Sequence, residues 1–483
     1  MYTPQLELED IQGDILVGMQ KNAELFLFFK ITDALRFKAL LRQYIVGQVT
    51  NARTTVERER IIEARKLGRS GSIGPWLGLN LGFTWEGLNQ LLGARRPKLD
   101  PAFERGAADP ATVARLNDPP TGEWLHDFSS DHIDGVFLLA GPDRNFVAIH
   151  ETSLRQRFAA AVKVVYAETG TVRPGREKGH EHFGFADNIS QPGIRGLTRP
   201  SRPSTAPNQG LPGQPLVWPG EFLLGYPAQD PKHPDRPGPV VPLAAPWAKN
   251  GSYMVFRRFE QRVPEFHRFV AAQAARLGIY PDLLASRMVG RWRSAAPLEL
   301  TPLEDNPRLG ADPMRDNDFS YGGDPFQRAC PYAAHIRKAN PRDDPPGGMA
   351  ETLTHRIIRR GIPFGPEVQP GETVTRHSRG LLFVCYQASI ERQFEFIQSR
   401  YSNNPDFVTD KKRPDTGAPV TPGFDPIIGQ NREGGRRFMD EPAPNYPYGN
   451  RRTTLEILEE FVVLTGAAYF FMPSIKALRN LLN

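Results

Sequence analysis

Cysteine is nearly absent from this 483-residue sequence, which contains only Cys330 and Cys385. Each lies between apolar neighbours, in the tripeptides 329–331 and 384–386. Two isolated cysteines in such settings are typical of small core residues. They argue against a disulfide framework, a zinc site or a catalytic thiol.

Long apolar runs are also missing, and none reaches the roughly 18 residues that a membrane-spanning helix needs. Dense lysine and arginine blocks are missing too, so the net charge of +6 indicates a mildly basic surface. The segment Met1–Glu7 has no basic stretch followed by an apolar run, and no secretory signal is visible. We therefore expect a cytoplasmic protein with neither a membrane nor a nucleic-acid partner.

Proline, by contrast, is abundant: the 46 prolines are about twice the usual share. This abundance predicts long ordered loops around a modest amount of regular structure. The hydrophobic content of 39% and the charged content of 24% are typical of a globular protein. The length is ample for a large buried core.

One pattern occurs twice along the chain. The segment Gly13–Gly18 is echoed by Gly220–Gly225, and each is followed by an apolar strand and an amphipathic helix. A second strand and helix follow later in each half. The predicted strands are 24–29, 135–140, 251–256, 381–386 and 467–472. The helices include 146–162 and 389–398, and a short helix follows the last strand.

Repeated strand–helix units predict an α+β fold, with helices packed on mainly antiparallel sheets. Two such halves give a duplicated ferredoxin-like arrangement, divided into residues 1–205 and 206–483 within the Pro/Gly-rich run 199–220. The alternative is that these are ordinary strand–helix pairs without duplication. The run 409–450, rich in Pro, Gly, Asp, Asn and Arg, predicts a long surface loop.

Three stretches carry side chains suited to chemistry. In 182–193, Asp187 lies in a Gly-flanked turn among aromatic residues, where a carboxylate either carries protons or caps an Asx turn. In 330–342, His335 follows small residues and precedes several cations, a setting for a ligand-binding imidazole or for a core histidine. In 357–365, Arg359 precedes a Gly/Pro turn and is either a pocket cation that stabilises negative charge or a surface cation.

Together these stretches resemble the dye-decolourising peroxidase family. That family has a G-x-x-D-G motif, an A-H-I-R-like motif and an arginine before a G-x-P-[FY]-G turn, which correspond here to Asp187, His335 and Arg359. The likeness runs along nearly the whole chain. It includes the segments 10–16, 220–226, 250–253, 289–292, 379–387 and 394–398.

The resemblance implies a haem-dependent peroxidase that reduces hydrogen peroxide and oxidises small aromatic compounds such as dyes and phenols. It implies one haem b per chain in the C-terminal half, with His335 as the proximal iron ligand and Arg342 and Arg337 paired with propionates. No Cys-x-x-Cys-His motif occurs, so we expect non-covalent haem. On the opposite face, Asp187 and Arg359 would assist heterolysis of the O–O bond on the way to a ferryl intermediate.

The sequence departs from the family motif at Asn188, where the motif has its last glycine. Asparagine is among the residues that best tolerate a left-handed backbone, so we expect the turn to persist. The departure leaves a haem-binding carrier or sensor with little peroxidase activity as the alternative function. A haem-free binding protein is a further alternative, and the oligomeric state is left open.

The second ring nitrogen of a ligating histidine normally donates to a carboxylate or a carbonyl group. For His335, the candidates are Glu391 and Glu395, four positions apart on one predicted helix. Three other histidines near the motifs are interpreted as structural residues or as residues that support the site from behind its ligands: His180, His182 and His355.

Overall fold

The computed structural model describes residues 3–66, 68, 74–93, 98–129, 132–413, 416–432, 435–442 and 452–480. Within these residues, nine strands form one antiparallel sheet. In chain order they are β1 (Ala23–Ile31), β2 (Gly78–Phe83), β3 (Gly135–Gly141), β4 (Val162–Thr171), β5 (Ser252–Gln261), β6 (Ile358–Arg359), β7 (Ile362–Phe364), β8 (Gly380–Gln387) and β9 (Val462–Met472). All five strands predicted from the sequence are among them.

The strand order is β6-β8-β5-β9-β2-β3-β1-β4, with β7 also paired to β8. Strands β1 to β4 precede residue 205, and β5 to β9 follow it. The two sets join where Phe83 of β2 pairs with Phe471 of β9. The expected antiparallel α+β class is confirmed, with the two halves sharing one sheet. The boundary at 205/206 stays a prediction.

The sheet curls so that aromatic side chains from distant strands meet. The Phe28 ring of β1 lies 4.8 Å from the Phe256 ring of β5, although three strands separate β1 from β5 in the sheet order. The Phe128 ring packs against both, at 5.3 and 6.0 Å. Strands β4 and β7 approach so closely that a side chain at Gly170 would collide with Ile362. Because aromatic pairs add to area burial, this cluster stabilises the curled sheet.

Helices pack against the strands and connect them. The longer ones are Ala34–Leu40, Ala52–Lys66, Trp85–Leu92, Pro110–Leu116, Arg144–Phe158, Val263–Leu277 and Pro281–Val289. The short ones are Gly13–Leu16, Pro101–Arg105, His126–Ser129, Pro307–Gly310, His335–Ala339, Gly348–Leu353 and Ile475–Asn480. Helix Val263–Leu277 has proline in its first turn and ends at Gly278, whose φ of +68° is the usual left-handed stop.

Two predicted elements differ from the structure. The helix predicted over 146–162 ends at Phe158, because residues 159–161 form a turn and β4 begins at Val162. The helix predicted over 389–398 is present as two π-helical segments, Ile390–Phe394 and Ile397–Ser402.

The run 409–450 is only partly a loop, because Arg437–Pro442 pairs with a strand at Arg452–Ile457. Residues 414, 415, 433, 434 and 443–450 of that predicted loop lie outside the described residues. Both cysteines are buried free thiols, as expected. None of the described helices is long and apolar enough to cross a membrane.

Candidate active site

Asp187, His335 and Arg359 line one cavity of about 240 Å³. Asp187 precedes residue 205, whereas His335 and Arg359 follow it, so the two halves of the chain both supply the wall. Much of the rest is apolar, including Phe183, Phe185, Phe259, Phe383, Phe394, Ile397, Ile427 and Val462. A concave, mainly apolar pocket with a few convergent polar groups is a typical ligand or catalytic site.

His335 is the first residue of helix His335–Ala339 and follows two buried alanines. Its Nδ1 atom lies 2.8 Å from the Oδ2 atom of Asp425. Because a carboxylate only accepts hydrogen bonds, the neutral imidazole carries its proton on Nδ1 and its lone pair on Nε2. The side chain is 27% exposed, and this exposure is toward the cavity. Burial lowers the pKa of His335, but the charge and hydrogen bond of Asp425 outweigh it and raise the pKa overall.

Asp425 therefore takes the place that the sequence analysis gave to Glu391 or Glu395, and that prediction is wrong. Glu395 is buried and pairs instead with Arg105 and Arg115. Asp425 is fully buried, and its Oδ1 atom accepts the backbone N–H groups of the residues two and three positions later, at 2.8 and 3.1 Å. These bonds fix the carboxylate that orients the imidazole.

Asp187 and Arg359 form an ion pair on the cavity wall, with 2.7 Å between Asp187 Oδ1 and Arg359 Nη1. Each side chain is 30% exposed. Asn188 has φ of +65°, the left-handed conformation expected of a residue that replaces glycine, and its backbone N–H donates to Asp187 Oδ1 at 2.6 Å. The turn therefore persists, as predicted.

The charge environment keeps Asp187 ionised. Burial raises the pKa of its carboxyl group, but the charge of Arg359, the N–H of Asn188 and the hydrogen bond from Arg359 together lower the pKa below its ordinary value. A nearby cation and donated hydrogen bonds both favour a carboxylate. The result is a carboxylate beside a guanidinium at the cavity surface.

Arg342 and Arg337 have different surroundings. Arg342 lines the cavity, stacks on Phe319 at 3.8 Å and donates to the carbonyl groups of Phe319 and Asn317. Arg337 is fully buried outside the cavity wall, and its guanidinium is held by two carboxylates, Asp344 and Asp324. The predicted propionate contact of Arg337 is therefore wrong, because these carboxylates already neutralise its charge.

The cavity is also lined by Arg291 and Arg356, two arginines that were not singled out from the sequence. Arg291 donates to backbone carbonyl groups and to the amide oxygen of Asn317. Arg356 donates to the Ser190 carbonyl at 2.8 Å, and its buried Nε has no partner among the described residues. Burial, with Arg342 and Arg359 nearby, lowers the pKa of Arg356 to about 9. The only signal for Arg291 was its place in the family-like segment 289–292.

The three other histidines near the motifs are held by protein contacts, and His355 also lines the cavity. His182 Nε2 lies 2.8 Å from the Phe364 carbonyl, and its pKa falls to about 4 chiefly through burial. His355 stacks on Phe396, with 3.8 Å between ring centroids, while the Nε2 atom of His180 lies 3.2 Å from a backbone carbonyl. Among the described residues, no group of three or more His, Cys, Asp or Glu side chains could hold a metal ion.

Comparisons with known proteins identify the family of the chain. Residues 10–174 match the family model described as the DyP dimeric alpha+beta barrel domain, and residues 228–420 match the C-terminal Dyp-type peroxidase model. The dye-decolorizing peroxidase msp1 of Mycetinis scorodonius is 40% identical over 99% of this chain and 88% of that protein. The multifunctional dye peroxidase DyP2 of an Amycolatopsis species is 32% identical, covering 98% of this chain and 96% of that protein.

Solved structures give the same result. The structure of an ancestral D-type dye decolorizing peroxidase superposes with a TM-score of 0.83 at 40% identity, covering 99% of this chain and 100% of that one. The DyP-type peroxidase of Auricularia auricula-judae gives 0.82 at 34% identity with the same coverage. The chain belongs to the dye-decolourising, or DyP-type, peroxidase family. It is a peroxidase enzyme.

Proposed function

We propose that this peroxidase reduces hydrogen peroxide and oxidises aromatic compounds such as dyes and phenols, using one non-covalent haem b per chain. The observation that carries this proposal is the joint placement of the His335–Asp425 pair and the Asp187–Arg359 pair on one cavity. Relatives named for dye decolourisation support the substrate class, as does a 36% identical peroxidase solved in complex with 2,6-dimethoxyphenol.

The cavity residues fit a haem group. The Nε2 lone pair of His335 would hold the iron, and the apolar wall would enclose the macrocycle. Arg342 and Arg356 donate to carbonyl oxygens rather than to carboxylates. Because a buried cation without a counter-ion is costly, these two arginines would take the propionate carboxylates. Since His335 and both arginines follow residue 205, we place the haem in the C-terminal half.

When bound, haem would supply a redox centre whose iron and macrocycle together take up the two oxidising equivalents of peroxide and pass them one at a time to aromatic reductants. The Asp187 carboxylate accepts the proton from one peroxide oxygen and delivers it to the other. The Arg359 guanidinium stabilises the negative charge that develops on the departing oxygen. Asp425 keeps the His335 proton on Nδ1, so that Nε2 stays a ligand.

The alternative of a carrier or sensor depended on Asn188 disturbing the Asp187 turn. Asn188 is in the left-handed conformation and Asp187 is paired with Arg359, so the turn is not disturbed. Asn188 therefore gives no reason to prefer the carrier or sensor. The peroxidase proposal is the one that we retain.

The decisive test is an absorption spectrum of the purified, haem-supplied protein before and after one equivalent of hydrogen peroxide. We expect a Soret band that changes within milliseconds and returns when a phenol is added. A Soret band unaffected by peroxide would contradict peroxide reduction at this site. A protein that takes up no haem would contradict the cofactor assignment itself.

A further inference from the structure

The side-chain amide of Gln191 lies against the edge of the sheet at Arg359. Strand β6 is the last strand in the described sheet order, so one of its sides has no strand partner. There the Arg359 N–H donates to Gln191 Oε1 at 3.2 Å, and Gln191 Nε2 donates to the Arg359 carbonyl at 2.8 Å. The amide thus satisfies both backbone groups of Arg359 as a neighbouring strand would.

The same amide also reaches the turn that carries Asp187. Gln191 Nε2 donates to Asn188 Oδ1 at 2.5 Å, and the Asn188 N–H donates to Asp187 Oδ1. Since Asp187 Oδ1 also accepts from Arg359 Nη1, the contacts close a ring of four residues: Asp187, Asn188, Gln191 and Arg359. Asn188 is essential to this ring, because glycine, the family's residue at its position, has no side chain to offer Gln191.

We propose that Gln191 is a positioning residue for the peroxide reaction, and that Asn188 acts through it. Gln191 does not line the cavity and takes no part in proton transfer. It holds the backbone of Arg359 at a fixed distance from the Asp187 turn. This inference rests on the proposed function, because positioning matters only if Asp187 and Arg359 act on peroxide.

Asp187 and Arg359 need a positioning residue because they come from distant parts of the chain. Asp187 and Arg359 are 172 positions apart in the chain, and their side chains are partly exposed to the cavity. A misplacement of about 1 Å in a catalytic pair can cost roughly 100-fold in rate. A rigid link between the two backbones restricts that misplacement directly.

The test is stopped-flow measurement of the Soret change with peroxide, using haem-loaded wild type and Gln191→Leu across a range of pH. We expect the bimolecular rate constant to fall about tenfold or more with haem content unchanged. We also expect the acid limb of the pH profile to move to higher pH, because a looser Arg359 holds the pKa of Asp187 down less. A residue that only stabilises the fold would lower the melting temperature and leave the pH profile in place.

Gln214→Leu is the matched control. Gln214 donates to the backbone carbonyl of Gln191 at 3.2 Å but does not contact Asp187, Asn188 or Arg359. It should therefore keep the wild-type rate constant and pH profile. A Gln214→Leu protein impaired as much as Gln191→Leu would overturn the proposal, because the effect would then belong to the loop as a whole.

Asn188→Gly tests the bond between Gln191 and Asn188 separately, and it is the variant to use if Gln191→Leu does not fold. Glycine keeps the left-handed backbone but loses the bond to Gln191, so we expect a smaller loss of about threefold, with the same direction of pH shift. In the Gln191→Leu background, Asn188→Gly should have no further effect. An unchanged rate and pH profile in Asn188→Gly, or an equal effect in both backgrounds, would overturn the role of Asn188.

The two proposals fail in different ways. If the Soret band of the wild-type protein does not change with peroxide, the proposed function is contradicted. A wild-type protein that reacts with peroxide, beside a folded Gln191→Leu protein that reacts equally fast with the same pH profile, removes only the role of Gln191.

Discussion

At the scale of single residues, the ring nitrogen that carries the proton of His335 determines which nitrogen can bind a metal. Asp425 fixes that proton on Nδ1 and thereby leaves Nε2 free for iron. The resemblance to the family motifs, and not any one local setting, singled out His335, Asp187 and Arg359, and the structure brings all three to one cavity. Asp425 was missed because it lies 90 positions from His335 within the Pro/Gly-rich run 409–450, where only the folded chain brings the carboxylate to the ring.

Removing the proposed ligand is the most direct residue-scale test. For His335→Ala, we expect loss of haem or of its fifth iron ligand, because the other cavity-lining imidazole, His355, is stacked on Phe396 and hydrogen-bonded through Nδ1 to the Arg392 carbonyl. The measurement is the haem-to-protein ratio together with the position of the Soret band. Full haem retention with an unaltered spectrum would remove His335 from the iron.

Changing the charge behind the ligand gives a second prediction. In Asp425→Asn, the ring N–H of His335 keeps an oxygen acceptor but loses a negative charge, so the imidazole becomes a weaker electron donor. We expect the reduction potential of the haem iron to rise, as measured by spectroelectrochemical titration. The matched variant Asp406→Asn removes an exposed carboxylate from the same region and should leave the potential unchanged. Equal potentials in wild type and Asp425→Asn would contradict the role of Asp425.

The lowered pKa of Asp187 gives the pH dependence. Since burial is outweighed by Arg359 and the Asn188 N–H, the carboxylate persists to lower pH than an ordinary aspartate and is lost as pH falls through the lowered pKa. We expect peroxide reactivity well into the acidic range. In Arg359→Leu, we expect intact haem binding, a slower reaction and an acid limb displaced to higher pH. Rate measurements over pH in both proteins check this, and an unaltered Arg359→Leu profile would remove Arg359 from the reaction.

At the scale of secondary-structure elements, strongly patterned segments were predicted well and weakly patterned ones were not. Strands β1, β3, β5, β8 and β9 each contain an uninterrupted run of apolar and aromatic residues, which is why the sequence pattern found them. Strand β2 begins with glycine and contains a second glycine and a buried asparagine, so it has little strand signal. Strand β4 was not predicted, and the helix before it was predicted four residues too long, because apolar spacing alone does not show where a helix stops.

Helix Val263–Leu277 packs against a residue that lines the cavity. Its fully buried Phe266 lies 4.4 Å from Phe183, which precedes the Asp187 turn and lines the cavity, and 5.5 Å from Phe461. Because a truncated core phenylalanine typically costs about 3–5 kcal/mol, Phe266→Ala should destabilise the protein by that order and weaken haem retention.

Chemical denaturation of Phe266→Ala measures this cost. Phe269→Ala provides the comparison, since Phe269 is on the same helix but only half-buried. We expect a clearly smaller loss there. Phe269 also packs against Phe461, so equal losses for the two variants would show that the Phe183 contact and the fuller burial of Phe266 add nothing.

At the scale of the whole molecule, the two halves share one sheet and one cavity. The sheet passes from one half to the other at Phe83 and Phe471, and Asp187 reaches the cavity from the half that does not carry His335. The division into 1–205 and 206–483 therefore describes the origin of the parts rather than two independent units. The cytoplasmic location stays a prediction, and the oligomeric state stays open.

This sharing predicts one cooperative unfolding transition. Loss of the Soret band, far-UV circular dichroism and tryptophan fluorescence should follow the same curve in denaturant, although many chains of this length unfold in steps. Adding haem to the apoprotein should move that curve to higher denaturant, because a ligand bound only by the folded state stabilises it. Two well-separated transitions would show that the halves unfold independently.

The two buried cysteines have a consequence for an enzyme that meets peroxide at every turnover. Peroxide attacks the thiolate form of cysteine and drives it through sulfenic to irreversible sulfinic and sulfonic acids. Burial raises the pKa of both Cys330 and Cys385, so neither thiol ionises at neutral pH and neither meets solvent. The chain therefore offers its own oxidant no accessible cysteine thiolate.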